Sequence, residues 1–467
     1  MTRTDCVPPD EIRALFSIAL SDMYRTEVPQ YGALLELVAS VNADALASAP
    51  DLMARLECRG ELARLDVERH GAIRVGTAAE LFDMRRLFAV MGMVPVGYYD
   101  LSVAGVPVHS TAFRPVGAAD LRRNPFRVFT SLLRLDLIGD EALRAEAAAI
   151  LSARRIFTPR AMELVAVSET QGGLDHDQAA GFVREALETF RWHAQANVGL
   201  STYKALVAAH RLVADIVSFK GPHINHLTPR TLDIDAAQAR MVAQGMAAKA
   251  QIEGPPRRDC PILLRQTSFK ALSEPVGFAT GQGDVLGTHT ARFGEIEQRG
   301  AALTPKGRLL YDQLLAAARR DAQAGSGDDG QALAMRFRAF PDDWRMLRDQ
   351  GLAFFRYFPT PAGLAAPEDR MSVLSVDDLV DRGYLGYEPI TYEDFLPVSA
   401  AGIFQSNLGA GERRQYDERS SRASFEQALG APVRDEMVLY ADEQSLSIRT
   451  ALARLGLDPD LPLKAEA

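Results

Sequence analysis

The chain has few of the residues that cross-link small folds. Among its 467 residues are only three cysteines, Cys6, Cys58 and Cys260, which are far apart and form no CxxC pair. Three separated thiols provide neither an even disulfide framework nor a paired-cysteine zinc site. We therefore expect a protein of a reducing compartment, the cytoplasm.

Long hydrophobic runs are missing as well. No segment approaches the roughly 18 uninterrupted apolar residues that a membrane-spanning helix needs. The first residues, MTRTDCVPPDEIRALF, contain no apolar stretch behind a basic patch, as a secretion signal would. These absences predict a protein that is not exported and does not span a membrane.

An excess of positive charge is also absent. The chain has 52 Lys and Arg against 61 Asp and Glu, for a formal charge of -9. This balance repels a phosphate backbone unless one face is locally basic, so nucleic acid is not an expected partner. A composition of 47% hydrophobic and 24% charged residues is typical of folded proteins and excludes disorder and collagen-like repeats.

The common nucleotide and hydrolase motifs are not present. The sequence contains no GxxxxGK[ST] or GxSxG, and GQGDVLG at 281–287 does not have the GxGxxG spacing or a following helix. Phosphate-cradling and α/β-hydrolase functions are therefore not predicted.

The hydrophobic pattern instead predicts an α+β protein in which one supersecondary unit occurs twice. Short β-like runs surround one helix in each copy, and helical periodicity dominates elsewhere. The predicted segments are N-terminal helices packing on the core at 1–65, a first module at 66–117, a helical insertion at 118–218, a second module at 219–300, and a helical and irregular region closing the site at 301–467. We expect two βαβββ-type modules to form one curved mixed sheet within a single enzyme body.

Two histidines occupy matching positions in the two modules. His70 lies seven residues before Thr77, and His226 lies seven residues before Asp233. Each histidine is near the start of its module's first predicted strand. A period well above 50 residues with two copies favours a paired-module fold over a solenoid.

The helix in each module has similar start and stop signals. Thr77, followed three residues later by a glutamate, predicts a capping box, and Asp235 followed by Gln238 predicts the second helix start. Gly92 and Gly245, each followed by methionine, predict the two helix ends.

The chain has only eight histidines, so the matched pair is a candidate metal site. Side chains alternate along a strand, so His70 and Arg74 are expected on one face, as are Glu295 and Glu297 in the last strand of the second module. Two imidazoles, from His70 and His226, and one carboxylate, from Glu295 or Glu297, suit Fe(II) because they leave positions open for substrate and dioxygen. Taken alone, each residue is more typical of a structural role.

Other histidines compete for roles in the site. His109 is on the last predicted strand of the first module. It is a candidate fourth metal ligand or a residue that donates a hydrogen bond to one of the ligands. His223 is three residues from His226, so on a strand the two face opposite ways. It is a second candidate for a supporting role. His289 is six residues from Glu295 and is not expected to share its metal.

Arg74 is the candidate substrate anchor. A guanidinium pairs bidentately with a carboxylate and keeps its charge when desolvated. A surface salt bridge is the alternative role, and Arg265 and Arg292 are less specific candidates for the anchor.

Several blocks of the sequence resemble the bacterial 2-oxoadipate dioxygenase/decarboxylases, also called 2-hydroxyglutarate synthases and formerly a family of unknown function. They include ERHGAIR, MGMVPVGYYDLSVAGVPVHSTAFRPV, GPHINHLTPRTLDID, THTARFGEIEQRG and YEDFLPVSAAGIFQSNL. The resemblance covers most of the chain. It implies a vicinal-oxygen-chelate (VOC) core with added helices.

The resemblance also implies a cofactor, a substrate and residue roles. The implied Fe(II) ligands are His70, His226 and Glu295. Arg74 would bind the distal carboxylate of the substrate, and Val398 and Ser399 would line its pocket. The implied reaction, in lysine catabolism, converts 2-oxoadipate and O2 into 2-hydroxyglutarate and CO2. It proceeds by chelation of the 2-oxo acid, oxidative decarboxylation and intramolecular hydroxylation.

Two other function classes suit the same fold. One is a metal-dependent glyoxalase-like isomerase or an extradiol dioxygenase, and the other is a non-catalytic protein that binds a small ligand. Oxygen consumption separates the isomerase from the dioxygenases, and absence of bound iron after reconstitution favours the binding protein.

Overall fold

The computed structural model describes residues 6–280, 283–323, 329–367, 371, 374–396 and 418–462. The chain divides into two compact units. The first unit comprises Met1–Glu253, Gln266–Gln298 and Phe395–Arg434, and the second comprises Gly254–Arg265, Arg299–Asp394 and Asp435–Ala467. Both predicted modules lie mainly in the first unit. The predicted C-terminal segment, 301–467, is split, because residues 395–434 also belong to the first unit.

The described residues form helices and strands in alternating groups. The helices are α1 (Pro9–Glu27), α2 (Pro29–Ser48), α3 (Pro50–Arg59), α4 (Ala78–Val90), α5 (Ala118–Arg123), α6 (Glu141–Ala153), α7 (Pro159–Gln171), α8 (His176–Phe190), α9 (Leu200–Ala209), α10 (Arg211–Ser218), α11 (Ile234–Ala243), α12 (Pro305–Gln323), α13 (Asp329–Phe337), α14 (Trp344–Asp349), α15 (Pro361–Ala365), α16 (Val376–Asp381), α17 (Glu418–Leu429) and α18 (Glu436–Arg454). The strands are β1 (Arg69–Val75), β2 (Val94–Asp100), β3 (Val108–Arg114), β4 (Arg127–Leu133), β5 (Gln195–Ala196), β6 (His226–Pro229), β7 (Leu264–Ser268), β8 (Ser273–Thr280), β9 (Gly283–Thr290), β10 (Glu295–Arg299), β11 (Phe355–Pro359) and β12 (Leu385–Pro389). The mixture confirms the predicted α+β class.

The largest sheet of the first unit contains strands from both predicted modules. Its order is β2-β3-β4-β1-β6, with β1 parallel to β4 and antiparallel to β6. In the β1–β6 pairing, His70 is opposite Thr228 and Ala72 is opposite His226. Directly opposed residues share a face of a sheet, so His70 and His226 point to the same side.

Both faces of this sheet are buried. Ile73 and Val128 belong to one hydrophobic cluster, which also includes side chains of the N-terminal helices. Ala72 and Phe129 belong to a second cluster on the opposite face, with side chains of α6 and α10. The alternation along β1 therefore directs His70 and Arg74 toward the second cluster.

Strand β4 corrects the prediction that residues 118–218 are helical. Arg127–Leu133 lies inside that segment and is buried at every position. Its sequence, RVFTSLL, has polar residues at both parities, so no period-two alternation distinguishes it from a buried helix. The first module therefore extends to Leu133 and has the order βαβββ, with the short helix α5 before its last strand.

The second module does not form one continuous sheet with the first. Only β6 joins the large sheet, while β7 pairs with β10, and β8 and β9 form a separate sheet with β5. An isolated bridge between Arg230 and Glu297 connects the end of β6 to β10. The predicted strand MAAKAQIEG contains only isolated bridges at Ala248 and Glu253.

The histidine-to-helix spacing is the same in both modules. Thr77 is the N-cap of α4 and forms the predicted capping box with Glu80. The second helix begins earlier than predicted, because Asp233, and not Asp235, accepts the capping hydrogen bond from Ala236 N. Each candidate ligand histidine is therefore seven residues before a helix N-cap.

The predicted helix ends are confirmed at both glycines. Gly92 and Gly245 have positive φ angles of 67° and 73°. In each case the N–H of the following methionine bonds the carbonyl five residues earlier. This left-handed C-terminal turn favours glycine because a side chain would strain it.

The N-terminal helices pack on the hydrophobic core of the first unit. The Tyr24 hydroxyl, on α1, donates to the carbonyl oxygens of Asn225 at 3.0 Å and Phe293 at 2.8 Å. Within the described residues, no single helix is long and apolar enough to cross a membrane. Helix α2 and Pro50–Glu57 meet those criteria only together, as a pair bent by 107°.

The second unit has its own small sheet. Strands β11 and β12 pair antiparallel. Helix α18 packs beside them, since Gln444 accepts a 2.8 Å hydrogen bond from Phe355 N.

Gly71→Ala tests the tight packing beside His70. An added Cβ would lie 2.6 Å from Ile224 Cδ1 and 3.2 Å from the carbonyl oxygen of His226. We expect a lower thermal unfolding midpoint, corresponding to an overpacking cost of about 1–3 kcal/mol. Gly139→Ala is the matched control, because an added Cβ there has nothing within 4 Å. Equal midpoints for the two variants would contradict the described packing.

Candidate metal centre and active site

The structure brings the three predicted metal ligands together from three strands. His70 is on β1, and His226 and Glu295 are the first residues of β6 and β10; all three are fully buried. Their candidate ligand atoms all lie within 4.8 Å of one another. Glu295 Oε1 is 3.0 Å from His70 Nε2 and 3.9 Å from His226 Nε2.

The donor atoms of this group fit a divalent metal ion. Both ring nitrogens of His226 and the Oε2 atom of Glu295 are buried without a hydrogen-bond partner in the part of the chain that the structure describes. Leaving such atoms unsatisfied costs about 1–3 kcal/mol each, whereas a metal ion would satisfy one ring nitrogen of His226 and the carboxylate oxygen of Glu295. Burial lowers the pKa of His226 to about 4, so its imidazole is neutral, as a metal ligand must be.

Hydrogen bonds orient the Glu295 carboxylate. Gln266 Nε2 donates to Oε1 at 2.7 Å, and the Thr228 hydroxyl donates to the same oxygen at 3.1 Å. Burial acts to raise the pKa of Glu295, but His226 and His70 outweigh it, so the net shift is downward. Glu295 is therefore an ionised carboxylate beside two imidazoles.

Glu297 contacts the other side of His70. Its Oε2 atom is 2.9 Å from His70 Nδ1, while His70 Nε2 faces Glu295. Glu295 and Glu297 thus both reach His70, as their shared strand face predicts. Burial acts to lower the pKa of His70, but the two carboxylates outweigh it and raise the pKa. A carboxylate that accepts the Nδ1 proton leaves Nε2 as the metal-binding nitrogen.

A chain of buried charges extends behind Glu297. Its members are Glu297, Arg127, Glu68, Arg64, Arg230 and Glu61. Arg127 connects Glu297, at 3.7 Å, to Glu68, at 2.8 Å. Arg230 connects Glu68, at 3.1 Å, to Glu61, at 2.7 Å. Each buried charge therefore has an opposite charge beside it.

Arg74 is buried in the same unit and does not form a surface salt bridge. Its side chain is 6% exposed, and Nη1 donates to Asp215 Oδ2 at 2.6 Å. The positive charge of Arg74 also contributes to the lowered pKa of His226, after burial and the neighbouring His70. Arg74 also lies on the same face of β1 as His70, four residues further along the strand.

The two histidines predicted as possible supporting residues have different partners. His109 faces the opposite side of the sheet, where its ring is 6.1 Å from Tyr98 and 4.7 Å from Phe425. The alternation along β3 causes this placement. His223 Nε2 is 3.2 Å from Asp215 Oδ1. Neither histidine belongs to the candidate ligand group.

Sequence reasoning missed several residues around the ligands. Phe395 packs its ring against His70 at 5.0 Å and against Phe129 at 5.3 Å. No pattern in the sequence connects Phe395 or Gln266 to the histidines, because each comes from a distant segment. The predicted pocket residues Val398 and Ser399 lie outside the described residues.

The arrangement as a whole defines a class of protein. Two imidazoles and one carboxylate converge in a buried site, and a buried arginine lies nearby. This set of donors is typical of non-haem metal oxygenases, which keep coordination positions open for substrate and dioxygen.

Comparison with known proteins identifies the family. The profile of the 2-oxoadipate dioxygenase/decarboxylase family matches residues 16–407. Relatives with that name from Pseudomonas putida and Escherichia coli K12 are 57% and 59% identical, over 98% and 95% of this chain and 99% and 98% of their own. A crystal structure of the hydroxyglutarate synthase from Pseudomonas putida in complex with 2-oxoadipate covers 97% of this chain and 100% of that chain, with a TM-score of 0.89 at 55% identity. The chain belongs to the 2-oxoadipate dioxygenase/decarboxylase family, which confirms the resemblance seen in the sequence.

Glu297→Gln tests the contact behind His70. The variant keeps the shape of the side chain but removes its charge, so the Nδ1 proton of His70 is held less firmly. We expect metal affinity to fall about 10- to 100-fold, measured by competition with a chromogenic chelator.

Glu61→Gln is the matched control, because it removes a carboxylate at the far end of the same chain of charges. We expect it to lower stability but to change metal affinity much less. Equal affinities in the two variants would contradict a specific role for Glu297.

Proposed function

We propose that this chain converts 2-oxoadipate and O2 into 2-hydroxyglutarate and CO2. The observation that carries the proposal is the buried group of His70, His226 and Glu295, whose candidate ligand atoms lie within 4.8 Å of one another. Within the described residues, both ring nitrogens of His226 and the Oε2 atom of Glu295 have no hydrogen-bond partner. The reaction balances: both oxygen atoms of O2 enter the organic product, one in the new carboxylate and one in the new hydroxyl group. No second reductant is needed.

The proposed cofactor is Fe(II), held by His70, His226 and Glu295. Imidazole and carboxylate donors suit this ion, and three protein ligands leave about three positions for other groups. When bound, the metal supplies Lewis acidity, a template for the 2-oxo acid and reactivity toward dioxygen. The protein supplies the neutral imidazole of His226, the ionised carboxylate of Glu295 and the imidazole of His70, which would lose its Nε2 proton when the metal binds.

Arg74 is proposed to bind the distal carboxylate of the substrate. Its guanidinium is on the same strand face as His70, four residues further along β1, which corresponds to about 13 Å of extended chain. Anchoring the far end of a flexible dicarboxylate fixes which carbon lies at the reacting end. The distance between the candidate metal ligands and Arg74 therefore determines which substrate length is accepted.

Aromatic side chains are proposed to keep water from the reacting end. Phe395 packs edge-to-face on His70, and Phe129 contacts Phe395 from β4. A dry site strengthens the electrostatic interactions within it. Val398 and Ser399, close to Phe395 in sequence, remain proposed pocket residues.

We also propose that the sheet is a paired-module VOC core. The support is the βαβββ order of the first module and the equal spacing from each histidine to a helix N-cap. In this description β8 and β9 are an added hairpin. The proposed compartment is the cytoplasm, since the three cysteines provide no even disulfide framework.

An oxygen-electrode assay tests the reaction. Protein loaded anaerobically with Fe(II) is mixed with 2-oxoadipate in oxygenated buffer, and O2, CO2 and the organic product are quantified. We expect one CO2 and one 2-hydroxyglutarate for each O2 consumed. Oxygen uptake without CO2 release, or turnover without oxygen uptake, would contradict the proposal and would favour ring-cleavage or isomerase chemistry respectively.

His70→Ala, His226→Ala and Glu295→Ala test the ligand group. Removing one of three protein donors weakens the hold on the metal, so we expect metal content and oxygen uptake to fall together in each variant. The iron content after reconstitution and gel filtration measures the first quantity. Full metal content and full activity in one of these variants would show that the substituted residue is not a metal ligand.

Arg74→Ala tests the anchor. We expect iron content to be unchanged and kcat/KM for 2-oxoadipate to fall about 100-fold, since a charged hydrogen bond in a buried site is lost. Arg74→Lys keeps the charge without the planar fork and should lose less. An unchanged kcat/KM in Arg74→Ala would remove Arg74 from the site.

A further inference from the structure

A second buried group of potential ligands lies against Arg74. Asp215 is on α10, His289 is on β9, and His223 precedes β6; all three are buried, and their candidate ligand atoms lie within 4.8 Å of one another. The proposed reaction gives this group no role. The group contacts the proposed substrate anchor, because Asp215 binds Arg74.

Asp215 divides its two oxygen atoms between different partners. Oδ2 accepts a 2.6 Å hydrogen bond from Arg74 Nη1. Oδ1 is 2.9 Å from His289 Nε2 and 3.2 Å from His223 Nε2. Burial acts to raise the pKa of Asp215, but His223 and Arg74 outweigh it, and the pKa is held well below its usual range.

The Asp215 carboxylate determines which ring nitrogen of His289 carries the proton, because an ionised carboxylate only accepts hydrogen bonds and Nε2 is the nitrogen that faces it. Tyr203 Oη is 2.9 Å from His289 Nδ1. When this hydroxyl donates to Nδ1, the proton of the neutral ring is on Nε2, which then donates to Asp215. Trp192 lies parallel to the His289 ring, at 6.1 Å and 14°. The partners thus fix the orientation of the Asp215 carboxylate.

This pattern favours a positioning role over a second metal site. A His289 nitrogen that donates to Asp215 has no lone pair for a metal ion. The Arg74 guanidinium already supplies a positive charge to the same carboxylate. A divalent ion at this position would add further positive charge beside the arginine.

We infer that Asp215 is a positioning residue that acts through Arg74 and sets the preference for dicarboxylic 2-oxo acids. The inference rests on the proposed function, in which Arg74 binds the distal carboxylate. A guanidinium has five N–H donors, so it can bind Asp215 and a substrate carboxylate together. Because Asp215 holds the Arg74 side chain before the substrate binds, the arginine loses less conformational entropy on binding. Fixing its position also fixes the accepted length of the substrate.

Anaerobic calorimetry on the Fe(II)-loaded protein tests the inference. The ligands are 2-oxoadipate and 2-oxohexanoate, which has the same length but no distal carboxylate. For Asp215→Ala we expect about tenfold weaker binding of 2-oxoadipate, because the charged hydrogen bond that orients Arg74 is lost. Binding of 2-oxohexanoate should change less than about twofold. The double variant Arg74→Ala with Asp215→Ala should bind 2-oxoadipate no more weakly than Arg74→Ala alone, since Asp215 acts through Arg74.

Several results would overturn the inference. They are equal loss of both ligands in Asp215→Ala, an additive loss in the double variant, and tighter binding of 2-oxoadipate, which would mean that Asp215 chiefly repels the substrate. A second equivalent of metal in the wild type that is lost in His289→Gln would also overturn it. By contrast, an Arg74→Ala variant that binds both acids normally would contradict the proposed function itself.

Two further variants control for folding. Glu80→Gln removes a different buried carboxylate, which Arg154 contacts at 2.7 Å, and should leave both dissociation constants unchanged. Asp215→Asn preserves the side-chain shape if Asp215→Ala does not fold, and should lose 2-oxoadipate affinity selectively, by a smaller factor. Unchanged selectivity in Asp215→Asn would overturn the inference.

Discussion

Burial of the ligand group is the constraint on which the rest of the site depends. Three ionisable side chains, His70, His226 and Glu295, are fully removed from water. An unpaired buried carboxylate costs several kcal/mol, so each charge requires a compensating partner. Gln266 and Thr228 supply hydrogen bonds to one carboxylate oxygen, whereas the other carboxylate oxygen and both ring nitrogens of His226 have no hydrogen-bond partner among the described residues. The same desolvation that would destabilise an empty site therefore favours binding of a metal ion.

The buried charges behind His70 extend this compensation. Three carboxylates alternate with three guanidiniums, so the chain from Glu297 to Glu61 adds no net charge next to the ligands. Glu295 then supplies the negative charge of the candidate ligand group. Because Glu297 contacts His70 directly, the chain also orients the imidazole. A buried network of this kind contributes little to stability by itself but fixes one arrangement of its members.

Sequence reasoning selected the candidate ligands because strand alternation and the seven-residue spacing from each histidine to a helix start are local patterns. His70 and Arg74 share a face for that reason, and the family resemblance supplied the choice of carboxylate. Strand β4 was missed because its polar residues at both parities remove the alternation that marks a strand. The contact between Arg74 and Asp215 spans 141 positions and arises only when α10 packs on the sheet. The second helix start was misplaced by two residues because Asp233 and Asp235 are both acceptable N-caps.

Isotope labelling of a single turnover tests the central claim most directly. The claim is that both atoms of O2 enter 2-hydroxyglutarate at the site formed by His70, His226 and Glu295. Fe(II)-loaded protein and 2-oxoadipate are mixed with 18O2, and the product is examined by mass spectrometry. The account predicts one labelled oxygen in the new carboxylate and one in the new hydroxyl group. A product without label in the new carboxylate would contradict it.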